Sequence, residues 1–267
     1  MGKYSPVRAK KQLGQHFLND EGIAMAIVNA MTTYTRQHGG IGLMEVGAGT
    51  GVLTKYLIKE EDIDFKIAEI DSESIDYLLE NYPEISPKLF QEDFLKMKLE
   101  MIFPAEFCII GNFPYNISSQ IFFKILDYKD SVPCCVGMVQ KEVAERIASP
   151  CGNKSYGILS VLLQAWYDIE YLFTVEPHVF TPPPKVRSAV IRLQRNSRND
   201  LGCDSTLFKK VVKATFNQRR KTIRNSLKPL LAEFEITATP LLDCRPEQLS
   251  VEDFIELTNH LIKKPTL

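Results

Sequence analysis

The stretch Gly42-Leu43-Met44-Glu45-Val46-Gly47-Ala48-Gly49-Thr50-Gly51 decides the fold. Its first half reads as a buried strand, and apolar residues recur at helical spacing in the segment 52–57 that follows. Glycine lacks a Cβ, so a Gly-x-Gly-x-Gly turn lets the backbone approach a ligand closely. We therefore predict a strand, a turn and a helix that bind a ligand through Gly47, Gly49 and Gly51. The alternative is a turn with only a structural role.

Two acidic residues follow the next two predicted strands. Glu69 ends the strand at 65–70, where a carboxylate can accept hydrogen bonds from both ribose hydroxyls of a nucleoside. Asp93 follows the strand at 88–90, where it can accept a hydrogen bond from an adenine amine or cap a helix. Val52 stands where the dinucleotide-binding fingerprint has its third glycine, so a nicotinamide oxidoreductase is the poorer alternative. The glycine spacing is instead similar to the S-adenosylmethionine loop of class I methyltransferases.

Strands and helices alternate along most of the chain. This order predicts an α/β fold with a parallel or mostly parallel sheet that is covered on both faces. The polar segment 195–204 is the best candidate for a linker, and only helical periodicity follows it. We predict a Rossmann-like class I methyltransferase sheet domain at residues 1–196, with a basic amino-terminal arm, and a small all-helical domain at residues 197–267.

The tetrapeptide Asn112-Phe113-Pro114-Tyr115 follows an apolar run at residues 107–111, where a buried strand should end. The exocyclic amine of adenine is a poor nucleophile, because its lone pair is delocalised into the ring. The side-chain oxygen of Asn112 and the backbone oxygen of Pro114 can draw this amine towards a reactive tetrahedral form, while Tyr115 stacks on the base. The motif predicts methylation of adenine. The alternative is an Asn-x-Pro turn with an aromatic staple.

The formal net charge of −1 hides an uneven distribution. Residues 1–15 carry a charge of +4, residues 16–200 a charge of −8 and residues 201–267 a charge of +3. Within the last range, residues 205–228 contain eight Lys or Arg and no acid. Basic ends flanking an acidic central region favour a polyanionic partner that is bound from two sides. A solvated basic face is the alternative, and we predict nucleic acid.

Several other classes of protein are disfavoured. The six cysteines lack Cys-x-x-Cys spacing and the four histidines are scattered, so we expect no metal and no disulfide framework. Residues 1–15 contain no apolar segment of the kind that a secretory signal needs. No apolar run approaches membrane-spanning length. We therefore expect a cytoplasmic location, reduced thiols and no membrane contact.

Six motifs occur in a fixed order along the chain. They are QLGQHFLND (12–20), GAGTG (47–51), NFPYNIS (112–118), QKEV (140–143), FTPPPKV (180–186) and FNQRRKT (216–222). With them, the chain resembles the small-subunit ribosomal RNA adenine dimethyltransferases over nearly its whole length. The resemblance implies two successive methyl transfers from S-adenosylmethionine onto each of two neighbouring adenosines near the 3′ end of small-subunit rRNA. The implied partner is the small ribosomal subunit or its rRNA, and we expect a monomer.

The resemblance also implies roles for individual residues. The implied cofactor contacts are His16, Leu18, Gly47, Glu69, Asp93 and Asn112. His16 stands where family members commonly have Asn, and imidazole can also donate or accept one hydrogen bond. Phe113 replaces the more usual Leu and preserves its apolar bulk. Phe180 closes the face of the base opposite Tyr115, or is an ordinary core residue before a turn.

The predicted RNA contacts come from both basic ends of the chain. Four of the side chains between residues 205 and 228 fall near one face of a helical projection, where they suit phosphates. The predicted set is Lys10, Lys11, Lys209, Lys213, Arg219, Arg220, Lys221 and Arg224.

Two rival functions use the same motifs. The closer one is an antibiotic-resistance methyltransferase that acts on large-subunit rRNA, and the basic segment 216–227 argues against it through resemblance alone. The other is an assembly factor that binds immature subunits and has lost its chemistry. The intact motif at 112–115 and the intact glycine loop argue against such a loss.

Overall fold

The computed structural model describes residues 7–60 and 63–265. Lys3, one of the basic residues that give the amino-terminal arm its predicted charge, lies outside these ranges. In chain order the strands are β1 (Phe17–Leu18), β2 (Gly42–Val46), β3 (Asp64–Glu69), β4 (Leu89–Gln91), β5 (Phe107–Asn112), β6 (Cys134–Gln140), β7 (Tyr167–Val175), β8 (Phe180–Thr181), β9 (Ser188–Arg195), β10 (Phe234–Ile236) and β11 (Leu261–Lys263). The α-helices are α1 (Glu21–Gln37), α2 (Thr54–Leu57), α3 (Ser72–Asn81), α4 (Ser118–Asp127), α5 (Lys141–Ala148), α6 (Ile158–Gln164), α7 (Ser205–Asn217), α8 (Ile223–Ser226) and α9 (Val251–Asn259).

The central sheet has the strand order β4-β3-β2-β5-β6-β9-β7. Strands β2 to β6 pair in parallel, and β9 runs antiparallel to β6. Every residue of β2 and the first five residues of β5 are buried, so both faces of the sheet are covered. The predicted α/β fold with a mostly parallel sheet is confirmed.

The order of the strands determines where a ligand can bind. The chain runs outwards from β2 to β3 and β4, then returns to place β5 on the other side of β2. In open α/β sheets, ligands bind beyond the carboxyl ends of the strands at such a reversal. The loops after β2 and β5, which carry the glycine motif and the tetrapeptide at 112–115, meet at this point.

The first long helix begins where the sequence indicates. The Asp20 side chain accepts a hydrogen bond from the backbone N–H of Ile23 at 2.9 Å, which satisfies one of the donors that a helix leaves unpaired at its start. Apolar residues of α1 then pack into the main core, among them Ala24, Ile27 and Met31. Asp20 is therefore the N-cap of α1.

The chain divides into two compact units. One comprises the residues up to 144 together with 170–195, and the other comprises 145–169 together with the residues from 196 onwards. In the second unit α6 packs with α7 and α9, so this unit also takes in a helix from before the predicted boundary. Its described residues include two short strands, β10 and β11, which pair antiparallel with Glu235 opposite Ile262, and the first three residues of β7. Strands of three residues are too short to show a readable alternation in sequence. The division into domains at residue 196 stays a prediction.

Two findings on the described residues concern membranes and metals. In the ranges 7–60 and 63–265, the helices are too short or too polar to cross a membrane. Across those same ranges, no group of three or more His, Cys, Asp or Glu side chains is arranged to hold a metal ion.

Candidate active site

A cavity of about 230 Å³ lies in the first unit, where the loops after β2, β3, β4 and β5 come together. Part of its wall comes from the segment that contains β1. The lining residues are 13–18, 45–50, 52–53, 68–70, 92–95 and 112–117. The cavity therefore brings together the predicted residues His16, Leu18, Gly47, Gly49, Glu69, Asp93, Asn112, Pro114 and Tyr115.

The three glycines of the loop after β2 differ in what a side chain at each position would contact. Gly47, Gly49 and Gly51 all have positive φ, at 73°, 56° and 78°. A Cβ at Gly49 would lie 3.0 Å from the Phe17 ring, and one at Gly51 would lie 2.7 Å from the Tyr82 ring. A Cβ at Gly47 would have its nearest contact, with Cδ of Pro114, at 3.6 Å, so only backbone conformation demands glycine there. Gly51 does not line the cavity.

Glu69 is held at the end of β3 by backbone donors. One carboxylate oxygen accepts a hydrogen bond from the N–H of Gly49 at 2.9 Å, and the other accepts from the N–H groups of Ile70 and Asp71, both at 2.9 Å. The residue is only 5% exposed, and this burial raises the pKa of its carboxyl although the three hydrogen bonds oppose the rise. The arrangement fixes the carboxylate at the cavity wall.

A second carboxyl lies behind the glycine loop. Glu45 is fully buried on β2 and accepts a hydrogen bond from the Thr54 hydroxyl at 2.8 Å. Burial raises the pKa of Glu45 to about 8, and the nearby Glu69 carboxylate adds to the rise. Glu45 thus ties β2 to α2 beneath the loop.

Asp93 stabilises a turn rather than capping a helix, and its predicted contact with an adenine amine stays a prediction. One of its carboxylate oxygens accepts a hydrogen bond from the N–H of Leu95 at 3.0 Å, which stabilises the turn after β4. The residue also lines the cavity beside Phe94. Ile70, which follows Glu69, lines the same region and is 52% exposed although it is apolar.

Asn112 ends β5 with its amide oriented by the amino-terminal segment. Its Nδ2 donates a hydrogen bond to the backbone oxygen of His16 at 2.9 Å. Because a carbonyl can only accept, this bond assigns the nitrogen to His16 and leaves Oδ1 as the acceptor. The backbone oxygen of Pro114 accepts from the N–H of Ile117 at 3.2 Å and retains a second lone pair. Asn112 and Pro114 therefore present two oxygens at the cavity.

Tyr115 is held at both its ring and its hydroxyl. The ring lies 5.1 Å from the His16 ring between centroids, with a tilt of 33° between the planes. The hydroxyl forms a hydrogen bond with the hydroxyl of Ser188, which is fully buried at the start of β9. Burial raises the pKa of Tyr115, while the bond to Ser188 opposes the rise. Tyr115 is thus a rigid, neutral aromatic ring at the cavity.

The family model for ribosomal RNA adenine dimethylases matches residues 7–263. The chain belongs to this family. Among curated relatives named ribosomal RNA small subunit methyltransferase A, one from Parabacteroides distasonis is 58% identical over 94% of this chain and 93% of its own length. Another, from Cytophaga hutchinsonii, is 56% identical over 97% of this chain and 99% of its own length. The family resemblance predicted from the motifs is confirmed.

Solved structures show the same fold. A dimethyladenosine transferase from Plasmodium falciparum is similar with a TM-score of 0.72 at 23% identity, covering 91% of this chain and 96% of that one. The 23S rRNA methyltransferase ErmE is similar with a TM-score of 0.65 at 22% identity, covering 91% and 99%. Both similarities cover 91% of this chain, so it shares their fold, and the predicted Rossmann-like sheet fold is confirmed.

The arm of this dimethylase is fastened to two loops around the cavity. Asp71, at the start of α3, accepts hydrogen bonds from the ammonium of Lys10 and from the side chain of Gln15, the latter at 2.9 Å. On the other side, the amide of Asn116 donates to the backbone oxygen of Gln12 at 3.0 Å. Lys10, a predicted RNA contact, is therefore already paired with a carboxylate.

The pairing of the short strands β1 and β8 places Phe180 in the interior. Phe180 lies opposite Leu18, is 2% exposed and belongs to the hydrophobic core of the first unit. It is not among the residues that line the cavity. Its stacking role stays a prediction, and its position is the one expected of the alternative, a core phenylalanine.

The remaining predicted RNA contacts, apart from Lys11 in the arm, lie in the second unit on α7, on α8 and between them. Arg220 and Lys221 are exposed. Arg224 forms an ion pair with Asp243 at 3.0 Å, and Arg219 lies 3.8 Å from Glu247. Acidic residues distant in sequence thus neutralise part of the positive charge of the segment 205–228, which contains no acid of its own.

Sequence reasoning missed three contributors to this site. Ile70 could have been found as an exposed apolar residue directly after a strand-ending acid. Nothing local distinguishes Ser188 or Asn116, because their partners lie 73 and 104 residues away in sequence.

Proposed function

We propose that this chain uses S-adenosylmethionine to dimethylate the exocyclic amines of two adjacent adenosines near the 3′ end of small-subunit rRNA. S-adenosylhomocysteine is the second product. The observation that carries the proposal is the orientation of Asn112, whose nitrogen is bound to the His16 carbonyl while its oxygen remains an acceptor at the cavity. Names of relatives, which specify the small subunit, support the choice of substrate.

The residues of the cavity fit an adenosine-containing cofactor. Glu69 offers a fixed carboxylate to the ribose, since three backbone N–H groups occupy three of its roughly four acceptor positions and the oxygen bound to Gly49 keeps one for a hydroxyl. Asp93 offers a carboxylate to the adenine amine, and the exposed face of Ile70 offers an apolar surface to the ring. The backbone around Gly47 is open to the methionine part, beside His16 and Leu18.

The chain's own residues then act on the target adenine. The cofactor, when bound, supplies a methyl group on a positively charged sulfur, which is already a strong electrophile. The oxygens of Asn112 and Pro114 accept the two hydrogens of the amine and concentrate its lone pair on nitrogen. Tyr115, fixed by Ser188, supports the flat face of the base after it leaves the RNA stack. Alignment in a site that excludes water is the main contribution of the protein.

The partner in this proposal is the small ribosomal subunit, bound in the cytoplasm by a monomer. Phosphate contacts come from the cations of α7 and α8, with Arg220 and Lys221 exposed and able to bind directly. Arg224 exchanges its exposed partner Asp243 for phosphate.

The test is methyl transfer to purified ribosomal particles. Small subunits from a strain without its own dimethylase, large subunits and free rRNA are incubated with the protein and radiolabelled S-adenosylmethionine. We expect label in small subunits only, and mass spectrometry should find two adjacent dimethyladenosines near the 3′ end. Label in large-subunit rRNA alone would establish the rival resistance methyltransferase. No label with any substrate would contradict the proposal.

A further inference from the structure

Lys124 is a buried cation on α4 that belongs to none of the motifs. Its ammonium donates hydrogen bonds to the backbone oxygens of Leu95 at 3.1 Å and Met97 at 2.5 Å. The same nitrogen lies 5.4 Å from the centroid of the Phe94 ring and 5.6 Å from that of Tyr128. Lys124 is 9% exposed. One ammonium thus holds two carbonyls and contacts the faces of two aromatic rings.

A buried lysine is unusual, because removing an ammonium from water is unfavourable unless other groups replace the water. Burial lowers the pKa of Lys124, while the nearby carboxylates, first among them Asp93, oppose the change. An apolar side chain on α4 would fill this space without that cost. The contacts that Lys124 makes therefore indicate what the charge does.

Both carbonyls that Lys124 binds belong to the turn after β4. Within this turn, the N–H of Lys96 donates to the backbone oxygen of Asp93 at 2.8 Å, and the N–H of Leu95 donates to its carboxylate at 3.0 Å. Asp93, Phe94 and Leu95 line the cavity. Lys124 binds the same segment to α4.

We propose that Lys124 is a positioning residue for cofactor binding, because it holds the turn of Asp93, Phe94 and Leu95 at the cavity from behind. This inference rests on the proposed function, since it assigns that wall of the cavity to the adenine of S-adenosylmethionine. Lys124 does not line the cavity, so its effect is carried entirely by the turn. Loss of the three N–H donors of the ammonium should lower the affinity for the cofactor. The motif at 112–115 and the RNA-binding cations should be unchanged.

The chain offers a matched control at the carboxyl end of the same helix, since Tyr128 follows Asp127 directly. The hydroxyl of Tyr128 binds the N–H of Leu99 at 3.3 Å and the carboxylate of Glu100. It therefore fastens the next part of the same segment to α4, but Leu99 and Glu100 do not line the cavity. Tyr128→Phe removes these bonds and keeps the aromatic ring beneath the ammonium.

The experiment measures binding of S-adenosylhomocysteine by calorimetry to the wild-type protein, Lys124→Met and Tyr128→Phe, at a temperature at which all three are folded. Met preserves the apolar stem and removes the donors. We expect the Kd to rise about tenfold or more in Lys124→Met and less than twofold in Tyr128→Phe. In turnover assays, KM for S-adenosylmethionine should rise while kcat and KM for the small subunit stay within about twofold. Lys124→Gln retains a hydrogen-bond donor and should give an intermediate Kd. This variant replaces Lys124→Met in the comparison if Lys124→Met does not fold.

The outcomes separate the two proposals. If the wild-type protein does not bind S-adenosylhomocysteine, the proposed function fails. If the wild-type protein binds it and the Lys124 variants bind equally well, the role of Lys124 is overturned and the proposed function stands. Equal weakening in Tyr128→Phe would also overturn it, because general loosening of the segment would then explain the result.

Discussion

At the scale of single residues, Asn112 carries the chemistry because its neighbours decide which way its amide points. The His16 carbonyl binds the nitrogen and leaves the oxygen to accept. Asn112→Ala should reduce methyl transfer by about 10²–10³-fold, the usual effect of removing one preorganised polar group from an active site. Radiolabelled methyl incorporation into small subunits measures the loss, and subunit binding should be unchanged.

Asn116 provides the matched control for this change. It belongs to the same motif, and its amide likewise donates to an arm carbonyl, that of Gln12 at 3.0 Å. Asn116→Ala removes a comparable hydrogen bond, so we expect most of the turnover to remain. Near-normal turnover of Asn112→Ala, or equal losses in the two variants, would remove Asn112 from the chemistry.

Glu45 gives stability a dependence on pH. Burial raises its pKa in the folded protein from an ordinary value of 4.5 to about 8, so folding takes up a proton at pH values between these limits. The stabilising contribution of the neutral carboxyl is complete below pH 4.5 and is lost as the pH rises to about 8. The loss is on the order of 3 to 5 kcal/mol.

Glu45→Gln should remove this dependence. Gln keeps an oxygen for the Thr54 hydroxyl and does not ionise, so the stability of the variant relative to the wild type should increase between pH 5 and pH 8. Urea denaturation at several pH values measures the difference. Parallel stability curves for the two proteins would show that Glu45 is ionised at neutral pH.

At the scale of elements, the amino-terminal arm is the segment whose role the structure changes most. Lys10 and Gln15 both bind Asp71, so the arm is fastened to the start of α3 next to Glu69. Asp71→Asn preserves the capping oxygen of α3 and removes the carboxylate that pairs with the Lys10 ammonium. We expect the arm to loosen, with faster tryptic cleavage after residues 10 and 11 and a several-fold weaker affinity for S-adenosylhomocysteine.

Glu73→Gln is the control for the arm. Glu73 lies 3.1 Å from the Lys10 ammonium but is 52% exposed in its side chain, and exposed ion pairs contribute little. This variant should behave like the wild type in both assays. If Asp71→Asn were also cleaved at the wild-type rate, the arm would be held by other contacts and its proposed fastening would be wrong.

The basic segment of α7 and α8 is the element we expect to bind rRNA. Charge reversal at Arg220 together with Arg224 should weaken binding of the small subunit and reduce the slope of log K against log salt by about 1 to 2. Affinity for S-adenosylhomocysteine should be unchanged. Filter binding over a salt titration measures the affinity for the small subunit and its salt dependence. An unaltered slope would show that these cations do not contact phosphate.

At the scale of the whole molecule, the sequence predicts what depends on local patterns. The sheet and the glycine loop after β2 follow from hydrophobic periodicity and from residues that tolerate positive φ. The positions of Glu69 and Asp93 follow as well, because parallel strands end at one edge of a sheet.

The remainder depends on contacts between residues far apart in sequence. Lys10 and Asp71 are 61 residues apart, and a run of basic residues in the arm therefore looked free for RNA. Arg224 appeared uncompensated for the same reason, since Asp243 lies outside the segment counted. The strands β1 and β8 have two residues each, too few for periodicity, so Phe180 could not be assigned to the core in advance.

We infer that one cavity holds the methyl donor and presents it to an adenine beside Asn112 and Tyr115. A crystal structure of the protein with S-adenosylhomocysteine would show whether it does. We expect the ligand's ribose at Glu69, its adenine at Asp93 and its sulfur facing the Asn112 oxygen, with space for a purine at Tyr115. Ligand density elsewhere, or an Asn112 side chain turned away from the sulfur with no room for a base, would refute this inference.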